Sequence, residues 1–240
     1  MGMPITIVIA DAADETVLDR IFSYFAYVDE KFSPYKETSE LTRINKKGLL
    51  EKDWSDDMKT VMRLCEETKE KTDGYFDIAT PNGIMDPSGL VKGWSIYNAA
   101  GLLQKDGFHN FYVDAGGDIE PRGENAEGKP WRVGIRSPFN PKEIIKVLEV
   151  RGVGVATSGI YIRGQHIYNP KEGGRPVSEI ISLTVIGPNV YEADRFATAA
   201  FAMGIRGISF LETLDGFEAY SIDNKGIATM TSGFEKYIAV

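Results

Sequence analysis

Asp194 and Thr198 stand four residues apart in a segment with helical patterning, so a carboxylate and a hydroxyl fall on one helix face within reach of one hard cation. The same spacing also suits a threonine bonded to its own helix backbone and an aspartate paired with Arg195 or a more distant cation. Upstream, Asp86-Pro87-Ser88-Gly89 precedes a second helical pattern that carries Lys92 in its first turn. Free backbone N–H groups and the helix dipole favour an anion there, and a lysine adds a point charge for phosphate. The alternative is that Asp86 or Ser88 caps the helix and Lys92 is solvated. His166 lies in Gln165-His166-Ile167-Tyr168-Asn169-Pro170, ahead of Gly173, Gly174, Arg175 and Pro176. A histidine in such a Gly/Pro-rich segment reads either as a general base poised near neutral pH or as an organiser of its loop. His109 has no such setting.

Three further sites carry weaker signals. Asp114-Ala115-Gly116-Gly117-Asp118 follows an apolar run and puts two glycines where the backbone must turn tightly or approach something closely, and it is no GxGxxG fingerprint. Thr157-Ser158-Gly159 lacks the G-x-S-x-G elbow of a serine hydrolase. Cys65, the single cysteine, sits in a helical pattern with no metal or nucleophile constellation around it, so it reads as a core residue and forms no internal disulfide.

The elements that must hold these residues are mixed. Pro4 to Ala10 reads as a buried strand, and Asp14 as the N-cap of a helix whose apolar stripe is Leu18, Ile21, Phe22, Phe25, Val28 and Phe32. Short and long helical patterns follow at Ser39 to Ile44 and Ser55 to Lys71, the latter closed by Gly74, and then Leu90 to Leu103 ending at Lys105-Asp106-Gly107. Strand-like runs occupy 110–114, 131–135, 144–150, 154–157 and 180–186. Asn189 with Glu192 three residues on opens a helix reaching about Met203, and Phe217 to Ile222 with Ile227 to Met230 closes the chain as a hairpin. Helices and strands do not alternate as βαβ units, and no linker divides the chain, so the class is α+β and residues 1–240 are expected to form one domain, at most two closely joined halves.

The 240 residues are 42% hydrophobic and 26% charged, enough for a sizeable core, with a net charge of -8. That field repels nucleic acid; a phosphorylated small ligand would need a local cation or metal. No apolar stretch is long enough to span a membrane, and no basic-then-apolar signal opens the sequence given.

Taken together, the segments resemble the ApbE family of FAD:protein FMN transferases, over nearly the whole chain and in the family's order. The resemblance rests on Met1-Gly2, Val28-Asp29 with Phe32-Ser33-Pro34-Tyr35, Ser39-Glu40-Leu41 to Asn45, and Gly74-Tyr75-Phe76-Asp77. It continues through Asp86-Pro87-Ser88-Gly89 with Lys92-Gly93, Gly116-Gly117-Asp118, Thr157-Ser158-Gly159, His166 with Pro170 and Pro176, and Ala193-Asp194 with Thr198. It implies a T-fold-like α+β architecture with a flavin-nucleotide cleft. It further implies Mg²⁺ held by Asp194, Thr198 and a backbone oxygen near Gly89, and FAD lined by Met1, Tyr35, Phe76, Asp77, Asp86, Lys92, His166 and Ile167.

The implied reaction is phosphoryl transfer. A Thr or Ser hydroxyl of an acceptor protein attacks the FMN phosphorus and AMP leaves, with His166 as the base and Asp194 anchoring the metal. An FAD pyrophosphatase or an FAD-binding protein without turnover would use the same pocket. Two departures from the family pattern are the Gly173-Gly174 insertion before Pro176 and Trp94 where tyrosine is common. The acceptors of the family carry an Asp-x-x-Ser/Thr-Gly-Ala-Thr motif, and Asp223 to Thr229, reading DNKGIAT, matches it only by coincidence. The family's lipoprotein leader is not in the sequence given, which leaves either a trimmed export form or a cytoplasmic member.

Overall fold

The computed structural model describes residues 2–12, 16–160 and 167–239. The chain opens with strand β1 (Ile5–Ile9) and helix α1 (Thr16–Phe32). The helix buries Ile21, Phe25, Val28 and Phe32 at alternating steps of four and three. Phe22, expected in this stripe, is 44% exposed, because it stands one residue round from Ile21 and beyond the contacting face. The expected cap Asp14 lies outside the described residues. Helices α2 (Glu40–Asn45) and α3 (Asp56–Lys71) start at serine caps, the hydroxyl of Ser39 accepting from the Thr42 N–H at 3.0 Å and that of Ser55 from Met58 at 3.3 Å. Gly74, with φ +77°, returns its N–H to Lys69 O at 2.8 Å and so ends α3 where the sequence predicts.

Helix α4 (Ser88–Lys105) begins two residues before the expected start, which moves Lys92 from the first turn to the second. Pro87 occupies its cap position, and Asp86 contributes a local turn instead, its Oδ1 accepting from the Ser88 N–H at 3.0 Å. Strands β2 (Phe111–Ala115) and β3 (Asp118–Arg122) form a hairpin across Gly116 and Gly117. Both glycines have positive φ, 65° and 95°, as a two-residue turn of matching twist demands. Strands β4 (Trp131–Arg136) and β5 (Ile144–Val150) form a separate ribbon, and β6 (Gly154–Gly159) follows. A minimal ribbon of β7 (Tyr168–Asn169) and β8 (Arg175–Pro176) leads to β9 (Ile180–Gly187). Helix α5 (Val190–Ala202) is capped as expected, Asn189 Oδ1 accepting from the Glu192 N–H at 2.9 Å. Helix α6 (Arg206–Glu212), β10 (Glu218–Asp223) and β11 (Ala228–Met230) complete the described order.

Seven strands form one antiparallel sheet in the order β1-β2-β3-β6-β9-β10-β11. Strand β9 is central and buried on both faces. Leu183 and Val185 meet Ala193, Phe196, Ala197 and Ala200 of α5, while Ile186 faces the ribbon residues Trp131, Val133 and Leu148 together with Tyr220. Helices thus cover one face of the sheet and the β4–β5 ribbon, with the short C-terminal turn around Phe234, covers the other. Side chains such as Phe201 and Phe111 are fully buried, each contributing roughly 1.5–3 kcal/mol relative to exposure. α1 and α4 seal the β1–β2 end through Ile96, Ala99 and Leu103 against Phe111 and Val113. Cys65 lies in the core between α3 and α4, as expected. The class is α+β. Among the described residues no helix is long and apolar enough to cross a membrane.

Candidate active site

Two helices meet with unusual closeness. A Cβ added at Gly93 of α4 would stand 2.6 Å from Asp194 Cβ and 2.7 Å from Val190 O of α5, and one at Gly89 would stand 2.9 Å from Thr198 Cγ2. Only glycine at both positions lets α4 lie against α5 in this way. The approach brings three oxygen groups together. The Gly93 N–H donates to Asp194 Oδ2 at 2.7 Å, and the Thr198 hydroxyl donates to Gly89 O at 3.2 Å. Carboxylate, hydroxyl and backbone carbonyl make an all-oxygen donor set of the kind a hard divalent cation prefers. Among the described residues no three His, Cys, Asp or Glu cluster as metal ligands, so a cation here would rest on one carboxylate and neutral oxygens.

Lys92 supplies the charge. Its Nζ lies 2.6 Å from Asp118 Oδ2 and 3.5 Å from Asp194 Oδ1. Asp118 is fixed from the other side by the Thr157 N–H, which donates to its Oδ1 at 3.0 Å. Burial holds the Asp194 carboxyl well above the ordinary carboxylate range; Lys92 opposes that shift and the nearby Asp118 adds to it. Asp114, at the end of β2, is raised for the same reason, with the Gly117 N–H working against the shift.

This node forms part of the wall of a cavity of about 1250 Å³, above the roughly 300–1,000 Å³ usual for small-ligand sites. Of the site residues expected from sequence, Phe76, Asp77, Asp86, Gly89, Lys92, Ile167, Asp194 and Thr198 all face this one cavity. Asp77 is already engaged, its Oδ2 lying 2.8 Å from Lys69 Nζ and its Oδ1 accepting from the Ala79 N–H. Tyr35 is not brought there. Its ring is 92% exposed, because the turn at Ser33 and Pro34 sends it into solvent, outside the cavity lining. Met1 and His166 lie outside the described residues.

Asp118, which the sequence marks only as the end of the Gly116-Gly117-Asp118 turn, belongs to the same node through Lys92 and the Thr157 N–H. Its signal was the polar residue at an inward position of a hairpin strand, repeated at Glu120. Thr157, Ser158 and Arg136 also line the cavity without having been assigned. The segment 157–159, which lacks a hydrolase elbow, lines the cavity wall instead.

A family model described as the ApbE family matches residues 1–82 and 80–221. The FAD:protein FMN transferase of Escherichia coli (strain K12) is 30% identical over 162 residues, covering 63% of this chain and 46% of its own length. That of Vibrio cholerae serotype O1 is 32% identical over 163 residues, covering 59% and 48%. The chain thus spans about half the length of the curated relatives it matches. Among solved structures, the flavin transferase ApbE from Vibrio cholerae superposes with a TM-score of 0.85 at 24% identity, over 99% of this chain and 96% of that one. The apbe protein from Thermotoga maritima superposes at 0.86 with 21% identity over the same shares, and these likenesses establish the fold.

Proposed function

The chain belongs to the ApbE family, and from that premise we propose that it transfers FMN from FAD to a Thr or Ser hydroxyl of an acceptor protein and releases AMP. The observation that carries this reading is the convergence of Gly89 O, the Thr198 hydroxyl, the Asp194 carboxylate and the Lys92 ammonium at a cavity large enough for a dinucleotide. Residues 1–240 are read as one transferase domain, since α4 and α5 come from opposite halves of the chain and build the site jointly.

The reaction forms one P–O bond and breaks another. The acceptor oxygen bonds to the FMN phosphorus, the bond from that phosphorus to the bridging oxygen breaks, and AMP leaves with the bridging oxygen. Asp194, Thr198 and Gly89 O are the residues that would hold Mg²⁺, which when bound neutralises charge on the pyrophosphate. Lys92, between Asp118 and Asp194, opposes the burial that raises the Asp194 carboxyl and adds positive potential at the same point of the wall. Phe76, Asp86 and Ile167, on the wall of the same cavity, would line the nucleotide. His166 is assigned the acceptor proton, from its sequence setting alone. Most of the acceleration is expected from positioning and charge neutralisation, as is general for phosphoryl transfer.

Incubation with FAD, Mg²⁺ and a peptide bearing the acceptor motif tests the reading directly. Mass spectrometry of the peptide should show an added FMN, chromatography should show AMP, and Asp194→Ala should abolish both. FMN and AMP without labelled peptide would make the chain a pyrophosphatase, and intact FAD throughout would make it a binding protein.

A further inference from the structure

The cavity is acidic for a site that must take a pyrophosphate. Its described lining carries Asp77, Asp86, Asp114 and Asp194 against two cations, Lys92 and Arg136. Lys92 is committed to Asp118 and Asp194. Among the described residues Arg136 has no carboxylate within 4.0 Å. One of its N–H groups, on Nη1, donates to Pro141 O at 3.1 Å. A guanidinium has five N–H donors in a planar fork suited to two phosphate oxygens, so this anchor steadies the group and leaves most of its donors unused.

The backbone aims it. Along β4 the side chains alternate, with Trp131, Val133 and Ile135 buried and Arg132, Gly134 and Arg136 outward, and the strand's last three residues, Gly134, Ile135 and Arg136, line the cavity. The pairing of β4 with β5 shifts register between Ile135 and Arg136, a bulge of the kind that redirects a side chain. Arg136 also lies close enough to Asp114 for its charge to lower that carboxyl, as Lys92 does. The two cations therefore act on one region of the cavity, one from helix α4 and one from the β4–β5 ribbon.

We propose that Arg136 binds a phosphate oxygen of the donor nucleotide from the β4–β5 ribbon, supplying the positive charge that Lys92, already paired, cannot supply alone. This rests on the reading of the cavity as the FAD site. Only the anionic part of the ligand is recognised, so the flavin ring itself gains nothing from Arg136.

Equilibrium binding of FAD without Mg²⁺, followed by flavin fluorescence across a salt series, tests it, with riboflavin as the probe that lacks phosphate. Arg136→Gln should weaken FAD at least tenfold and flatten its salt dependence while leaving riboflavin within twofold of wild type. Arg136→Lys should recover part of the FAD affinity. Arg136 is exposed, so unchanged thermal melting of both variants should show that the fold is intact. Equal FAD affinity in wild type and Arg136→Gln, or an equal loss for riboflavin, overturns the assignment while the FAD reading stands. Failure of the wild type to bind FAD overturns the FAD reading and the assignment with it.

Discussion

The carboxylate of Asp194 reaches across a helix interface to accept the backbone N–H of Gly93 at 2.7 Å, and Gly93 has no room for even a methyl group, because a Cβ would stand 2.6 Å from Asp194 Cβ. Gly93→Ala is therefore expected to push α4 from α5 and to destabilise the fold by about 1–3 kcal/mol, the usual cost of overpacking. Urea unfolding should show a lower midpoint at unchanged slope, and FMN transfer at low Mg²⁺ should fall further than at saturating Mg²⁺. A wild-type midpoint would contradict the close contact.

Lys92→Met removes the cation between two buried carboxylates. Breaking a buried pair from one side costs roughly 3–5 kcal/mol, and here Asp118 and Asp194 would face each other uncompensated. The variant is expected to melt at lower temperature and to be stabilised by millimolar Mg²⁺ more than wild type, because a ligand that binds only the folded state shifts its melting in proportion. Equal Mg²⁺ response in the two proteins would separate Lys92 from the cation site.

Glu120 on β3 is fully buried beside Arg122, and its Oε2 accepts from the Val190 N–H at the start of α5 at 2.6 Å. Burial pushes its carboxyl up to about 7, against the opposing pull of Arg122 and of that N–H. The folded form then holds a proton that the unfolded chain loses near 4.5. The contribution to stability is whole below that pH, declines as pH rises toward 7 and is gone above it, a total of about 3 kcal/mol. Glu120→Gln keeps an acceptor for Val190 and removes the titration. The difference in urea midpoint between pH 5 and pH 8 should be smaller in the variant than in wild type.

Cys65 is 2% exposed, and burial pushes its thiol up to about 12. An aromatic disulfide reagent should leave it unlabelled in the folded protein and react at once after unfolding in denaturant. Rapid labelling of the native state would place Cys65 outside the core.

Where a single local rule decided the outcome, the elements were legible in the sequence. The Gly74 end of α3, the Asn189 cap of α5 and the Gly116-Gly117 turn each follow from one or two residues. Strand β3 was not legible, because its inward positions hold Asp118 and Glu120, which break the alternation a reader looks for and are tolerated only because Lys92, Arg122 and two backbone N–H groups receive them. Helix α6 is seven residues long with no capping side chain, below what periodicity can reveal. On the cavity wall, Asp194, Thr198 and Lys92 could be named in advance through the family resemblance, not through their spacing alone. Arg136 could not, since its place depends on a bulge in a ribbon that packs on the opposite face of the sheet. Tyr35 shows the converse: the Phe32-Ser33-Pro34-Tyr35 motif was visible, the direction of its last side chain was not.

The contact of α4 with α5 has a mechanical consequence. Gly89 and Gly93 set one helix directly on Thr198 and Asp194 of the other, and α5 is itself held between β6, β9 and α6, with Val190 N within 1.9 Å of where a Cβ on Gly154 would sit. The donor oxygens have no flexible arm between them and the main core. Heating should therefore extinguish catalysis and near-ultraviolet dichroism over the same few degrees, with no earlier stage in which the chain stays folded and the site alone has come apart.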